Sequence, residues 1–372
     1  MTEPAISRPS GRATLAGLVY SASLLVVVAL CPPAGLRAQS PDPAPAGPPP
    51  PGRYYALSSA ADAMRPATSD SVRAIEPVRL RSGKVVLAGV AYVPRTMGAP
   101  EARQPAVVLL SGSGAHSRYN RFHGYPMYGE LAEALVRRGF VVLTYDKRGV
   151  GQSTGSWQRQ SFDEQADDAQ AALRWLAARP DVDPRRIGVL GHSQGAWIAQ
   201  LVAARAPDSV AFAVLLAGPA MSVKEQIVLD EHNERVRTGA VPSTAKPSRR
   251  LRWGLGALGA VAPACRLVRA SYLCWVVNHD PADALARMRA PTLSVFGALD
   301  GVVPAAENVP LLRAGLARAG APEPTVVVLP GLNHNLFPAR TGSRAEWSTL
   351  PPGFGVGVLD TLGSWMTARA AP

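Results

Sequence analysis

Lysine and cysteine are both scarce in this chain of 372 residues. Of 39 basic residues only Lys84, Lys147, Lys224 and Lys246 are lysines, and cysteine occurs only as Cys31, Cys265 and Cys274. A formal net charge of +12 would suit nucleic acid or an anionic surface. No nucleic-acid motif accompanies it, and arginine in place of lysine, beside abundant Ala, Pro and Gly, is what a GC-rich coding sequence produces. We therefore expect no nucleic-acid partner. No spacing of His, Cys, Asp or Glu resembles a ligand set, so neither metal nor cofactor is expected. No internal repeat is present. Only one apolar run, from about Ala13 to Leu30, approaches membrane-spanning length; Trp253 to Gly259 is far too short.

What remains is an apolar content of 47% with modest charge, enough for a globular body of one or two domains. Arg8 and Arg12 precede the apolar run, and Leu36-Arg37-Ala38 offers a small residue at a cleavage point. Residues 1–38 therefore read as a secretory signal peptide, with an uncleaved anchor as the rival; membrane contact is expected only through that anchor. Either way the body is exported, to the periplasm or beyond the cell. Residues 39–70 are rich in proline and read as an extended spacer. Outside the cytosol Cys265 and Cys274 could pair. A continuous helix would hold them about 13 Å apart, so a bridge requires a bend between them.

The body begins near Ser71 with a hairpin of Val78–Arg81 and Val85–Val93. Pro105–Leu110 is a continuous apolar run, as expected of a strand buried on both faces. Met127, Leu131 and Leu135 mark a helix ended by Gly139, and Phe140–Tyr145 a strand. Phe162, Ala166, Ala169, Leu173 and Leu176 mark a helix whose Asp163, Glu164, Asp167 and Asp168 read as a solvated acidic face. Asp181–Pro184 is a turn into the strand Ile187–Leu190, and Ala211–Ala217 is a further strand. Strand and helix thus alternate from residue 105 to 217, within a first core part over 71–220, which requires parallel pairing with helices on both faces. The rhythm breaks over 221–289, a stretch with 11 basic and 6 acidic residues, which reads as an inserted lid. It resumes over 290–372 with strands Thr292–Gly297 and Thr325–Leu329 and a closing helix through Leu359, Leu362 and Met366.

The pattern G-x-S-x-G occurs twice. Gly191-His192-Ser193-Gln194-Gly195 ends an apolar strand and opens a helical pattern, so Ser193 stands on a strand-to-helix corner, where a nucleophile elbow holds its serine. Gly151-Gln152-Ser153-Thr154-Gly155 follows a polar run and precedes no immediate helix, so Ser153 reads as a loop residue.

Asp300 lies just past the strand Thr292–Gly297, and His334 just past Thr325–Leu329. Parallel strands gather such groups on one rim, in the order Ser, Asp, His of one hydrolase class. His334 would accept the Ser193 proton as the hydroxyl attacks an acyl carbon, while Asp300 fixes the imidazole tautomer. The oxyanion would be met by the N–H groups of Gln194 and of Ser113 in Ser111-Gly112-Ser113-Gly114. His192 reads as packing beside the elbow, and His116 and His123 as structural or solvent-facing.

Gly112-Ser113-Gly114, the run Tyr145-Asp146-Lys147-Arg148-Gly149-Val150-Gly151-Gln152-Ser153-Thr154-Gly155 and Gly191–Gly195 together resemble the α/β-hydrolase superfamily. They are similar to bacterial esterases and serine-aminopeptidase-like hydrolases over roughly residues 75–220 and 288–370. The resemblance implies an α/β fold with a mostly parallel eight-stranded sheet, helices on both faces and a lid, and it independently makes Ser153 a loop residue. Ser111 departs from the histidine that many relatives carry there. The expected function is a serine hydrolase that cleaves a small carboxylic ester through an acyl-enzyme. An aminopeptidase, amidase or thioesterase with the same triad, and a binding module that lost its chemistry, are the alternatives.

Overall fold

The computed structural model describes residues 72–95, 103–268 and 271–371. The signal peptide or anchor expected over 1–38 and the spacer over 39–70 lie outside the described residues.

Eight strands form one sheet: β1 (Val72–Ser82), β2 (Val85–Pro94), β3 (Gln104–Leu110), β4 (Val141–Tyr145), β5 (Val182–His192), β6 (Phe212–Leu216), β7 (Thr292–Gly297) and β8 (Thr325–Leu329). Their spatial order is β1-β2-β4-β3-β5-β6-β7-β8. Strand β2 runs antiparallel to β1 and β4, and all other pairings are parallel. This is the mostly parallel sheet expected. Strand β5 starts at Val182, inside the stretch read as a turn over Asp181–Pro184: Val182 pairs with Gln104, and regular pairing resumes at Ile187 with Ala106.

Alternate residues of the central strands enter two different cores, which is why these strands read as unbroken apolar runs. Val107 and Leu109 face α1 (Met127–Val136) and α9 (Val358–Arg369); Ala106, Val108 and Leu110 face α2 (Phe162–Ala177) and α3 (Gln194–Arg205). Met127, Leu131 and Leu135 of α1 are fully buried, as their four-residue steps require. Leu131→Ala, at a site with no exposure, would cost about 2–5 kcal/mol.

Helix α2 opens on a capping box. Glu164 N donates to Ser161 Oγ at 3.2 Å while Ser161 N donates to Glu164 Oε2 at 2.9 Å. Its acidic face is not wholly solvated. Asp163 and Asp167 point outward and meet Arg205. Asp168, however, is 2% exposed and grips Arg148 through two bonds of 2.9 and 2.8 Å. It sits beside the apolar stripe, where a guanidinium from the loop after β4 reaches in to meet it.

The expected lid segment, between β6 and β7, is helical: α4 (Val223–Arg237), α5 (Arg249–Val268), α6 (Tyr272–Val276) and α7 (Ala282–Leu285). The two cysteines lie on separate helices, Cys265 on α5 and Cys274 on α6, and not on one continuous helix. Cys265 and Cys274 come to a Cα separation of 6.0 Å and are joined in a disulfide. Among the described residues no helix is long and apolar enough to cross a membrane. Helix α8 (Ala305–Arg318) follows β7 and contains Pro310.

Candidate active site

Because β3, β5, β7 and β8 run in one direction, the loops after them share a rim. Ser193 occupies the corner between β5 and α3 with φ 55° and ψ −121°, a conformation rare for a residue with a side chain. Its backbone is held by Ser193 N donating to Leu216 O at 2.9 Å and Ala196 N donating to Ser193 O at 2.9 Å. The flanking glycines are steric necessities: a Cβ on Gly191 would overlap the carbonyl of Gly195, and one on Gly195 the carbonyl of Leu110. Strand, corner and helix can come this close only without those methyl groups.

The imidazole of His334 bridges the other two candidate residues. Its Nε2 lies 2.9 Å from Ser193 Oγ, and its Nδ1 lies 2.9 Å from Asp300 Oδ2. Asp300 is 2% exposed, and its second oxygen accepts from the N–H groups of Val302 and Val303 at 2.8 Å each. The two loops are laced together. Ala298 N donates to Leu329 O at 2.8 Å and Leu299 N to Leu332 O at 2.9 Å.

His192 is buried and its Nε2 donates to the backbone carbonyl of His334 at 3.1 Å. Burial, then the neighbouring His334, pushes its pKa down to about 3, so it is neutral and serves as a prop for the His334 backbone. Its packing role agrees with the sequence reading. His116 is half-buried, donates to Ser113 O at 2.6 Å, and is lowered to about 4 by burial and then by Lys147. His123, at φ 48°, stands edge-on to Phe122.

Gln194 is the first residue of α3, so its N–H has no intrahelical acceptor and is available to a ligand at the corner. Its side chain is locked. Gln194 Nε2 donates to Gln165 Oε1 at 2.8 Å, Tyr272 Oη donates to Gln194 Oε1 at 2.5 Å, and Gln165 Nε2 donates to Tyr272 Oη at 3.2 Å. Gly112 lies against the corner: a Cβ on it would sit 3.5 Å from Ser193 Cβ and from His192 Nδ1. Ser113 follows it directly in that loop.

Ser153 is elsewhere and otherwise employed. Its hydroxyl donates to Asp146 O at 2.8 Å and accepts from Ala88 N at 2.9 Å, tying the loop after β4 to β2. Asp146 in turn accepts from Arg118 N at 2.7 Å and Arg118 Nε at 3.0 Å.

Several neighbours of the site gave no sequence signal, because their proximity is created only by folding. Asp230 of α4 is ion-paired with Arg344, and burial raises its pKa to about 6. The ring of Trp347 lies parallel to His334, 6.3 Å between centroids, with Phe122 edge-on to it at 5.3 Å. Lys147 is buried and donates to the carbonyl of Gly112. Among the described residues no group of three or more His, Cys, Asp or Glu side chains is placed to hold a metal ion.

Residues 101–257 match the family model described as serine aminopeptidase, S33. An uncharacterized protein of Mycobacterium tuberculosis is 31% identical over 245 residues, 66% of this chain and 66% of that protein. The esterase EstD of Thermotoga maritima is 26% identical over 272 residues, 70% of this chain and 62% of the esterase. The chain thus matches no more than 66% of the length of either relative. Among solved structures, 2,6-dihydroxy-pseudo-oxynicotine hydrolase aligns with a TM-score of 0.52 at 17% identity, over 80% of this chain and 68% of that one. A hypothetical protein of Pseudomonas aeruginosa aligns with a TM-score of 0.52 at 18% identity, over 81% of this chain and 95% of that one.

Proposed function

We propose, from the premise that this chain has the α/β-hydrolase fold and is similar to bacterial esterases and to serine-aminopeptidase-like hydrolases, that it is a serine hydrolase cleaving carboxylic esters through an acyl-enzyme. The reading rests on one observation, the unbroken line Ser193 Oγ, His334 Nε2, His334 Nδ1, Asp300 Oδ2 with 2.9 Å at both gaps.

Ser193 Oγ attacks the acyl carbon as His334 Nε2 takes its proton. The imidazolium so formed is stabilised by Asp300, whose orientation is set by Val302 N–H and Val303 N–H. The carbonyl oxygen becomes an oxyanion met by the N–H groups of Gln194 and Ser113, each worth about 3 to 4 kcal/mol in such sites. Collapse breaks the C–O bond to the alcohol, which leaves with the proton from His334. Water then repeats the sequence on the acyl-enzyme and frees the acid.

Esters are favoured over aminoacyl amides on a specific ground. An exopeptidase needs a carboxylate free to hold the substrate's ammonium. Asp230, the inserted carboxylate whose field couples to His334 and Asp300, is engaged by Arg344, and Glu234 accepts from Ser343 Oγ at 2.8 Å. The name of the Thermotoga maritima relative, an esterase, supports the same choice. Export is supported by the leader-like sequence and by the Cys265–Cys274 disulfide, a bond that persists outside reducing compartments.

A fluorophosphonate probe and a panel of nitrophenyl esters beside aminoacyl amides test the reading. We expect covalent labelling that Ser193→Ala abolishes, and turnover of short acyl esters with aminoacyl amides barely cleaved. Faster amide turnover would make the protein an amidase or aminopeptidase, and an unlabelled Ser193 would leave a binding module.

A further inference from the structure

A charged group lies beneath the loop that faces Ser193, and the mechanism above does not use it. Lys147 is 7% exposed, and among the described residues it forms no ion pair. The carboxylates closest to it in the chain and in the cavity it lines are committed elsewhere: Asp146 to Arg118, and Asp168 to Arg148 and Gln160. A buried ammonium without a counter-ion is costly, and burial pushes its pKa down to about 7. Among the described residues its one acceptor is the carbonyl oxygen of Gly112.

That carbonyl belongs to the peptide whose other end is the N–H of Ser113. No peptide bond in the described chain is cis, and in a planar trans peptide the C=O and N–H point in opposite directions. An ammonium holding the carbonyl toward the interior therefore turns the Ser113 N–H outward, to the rim where Ser193 stands. It also withdraws electron density from the amide and makes that N–H a stronger donor. His116 fastens the next carbonyl, that of Ser113, at 2.6 Å. The backbone N–H of Lys147 donates to His116 O at 3.1 Å, so the two fasteners are themselves linked.

We infer that Lys147 is a positioning residue for the oxyanion site, holding and polarising the Gly112–Ser113 peptide against the charge that develops on the substrate oxygen. This deepens the serine-hydrolase reading and rests on it. The carbonyl carries its charge only in the tetrahedral state, so the contribution of Lys147 falls on that state and not on ground-state binding.

Lys147→Met removes the charge and keeps the length and apolar stem of the side chain, and Lys147→Arg retains a cation. Both are made in the full chain and assayed with nitrophenyl butyrate, with a phenylboronic acid as the tetrahedral mimic. For Lys147→Met we expect kcat to fall roughly 10- to 100-fold with KM within about twofold. The boronate inhibition constant should rise by a similar factor. Unfolding should occur at an equal or higher temperature, since a buried unpaired charge has gone. Lys147→Arg should recover part of kcat.

An unchanged kcat in Lys147→Met, or a fall in kcat with boronate affinity intact, overturns the inference. If Lys147→Met does not fold, Lys147→Gln replaces it, with the same two readouts deciding. Absence of ester hydrolysis that depends on Ser193 in the wild type is a separate failure: it removes the hydrolase reading, and this inference with it.

Discussion

The hydroxyl of Tyr272 donates to Oε1 of Gln194 at 2.5 Å, so a residue of the helices between β6 and β7 holds the side chain next to the candidate nucleophile. Gln165 of α2 closes the triangle. Tyr272→Phe deletes the hydrogen bonds to both Gln194 and Gln165 and leaves the ring. We expect a stability loss of about 1 to 3 kcal/mol and a fall in kcat of roughly fivefold, from looser placement of the Gln194 N–H. Steady-state kinetics beside urea unfolding would separate the two, and unchanged kcat would show that the insertion does not govern the corner.

Two residues on, Cys274 bridges to Cys265 across nine positions. Chain-entropy bookkeeping gives such a short loop about 2 to 3 kcal/mol of stabilisation. Replacing both cysteines by alanine should therefore make the segment around α5 and α6 the first to be cut by limited proteolysis. Equal protease resistance with and without the bridge would refute this.

Asp300→Asn keeps the shape of the side chain and removes its charge. His334 then loses the partner that fixes Nδ1–H and stabilises its cation, so kcat should drop about 10⁴-fold with the fold intact. A loss smaller than tenfold would mean that another group orients the imidazole.

The two G-x-S-x-G serines should separate cleanly. Ser153→Ala loses bonds to Asp146 O and Ala88 N and should destabilise the chain by about 1 to 3 kcal/mol, yet retain fluorophosphonate labelling. Ser193→Ala should do the reverse. Labelling that vanished in a folded Ser153→Ala would contradict its loop role.

Stability should fall with acid. His192 is lowered to about 3, and His279 and His116 to about 4, chiefly by burial in each case. The unfolded chain protonates these groups near 6.5 while the folded chain does not. The unfolded state therefore binds more protons in that window. Their contribution is complete above about pH 6.5 and declines as pH drops toward 4. Asp230 opposes this: raised to about 6, it carries a proton in the folded chain that the unfolded chain lacks between about pH 4 and 6. Three imidazoles against one carboxyl leave stability falling with acid, by a few kcal/mol per pH unit at most near pH 5. Urea midpoints at pH 7.5, 5.5 and 4.5 would show it, and a flat series would exclude it.

The layered architecture was legible because burial on both sheet faces imposes unbroken apolar runs, as in Pro105–Leu110, and because α1 and α2 carry their apolar residues at helical steps. The strand-to-helix corner at Ser193 was legible for a steric reason: only glycine fits at Gly191 and Gly195. Asp168 was misread because a carboxylate at the margin of an amphipathic helix looks solvated until Arg148 arrives from a distant loop. The helices of 221–289 were not resolved, because their apolar residues face partners on several elements and leave no single stripe.

The amino-acid order alone determined which residues could carry the chemistry, since Ser193, Asp300 and His334 each sit just past a strand whose pattern announces itself locally. Their meeting at hydrogen-bond distance was decided by the sheet, whose parallel pairing brings positions 141 residues apart to one rim. Tertiary structure alone decided the company they keep: Tyr272 on Gln194, Arg344 on Asp230 and Lys147 beneath Gly112. Such contacts join side chains through space between elements remote in sequence, and no local periodicity or spacing encodes them.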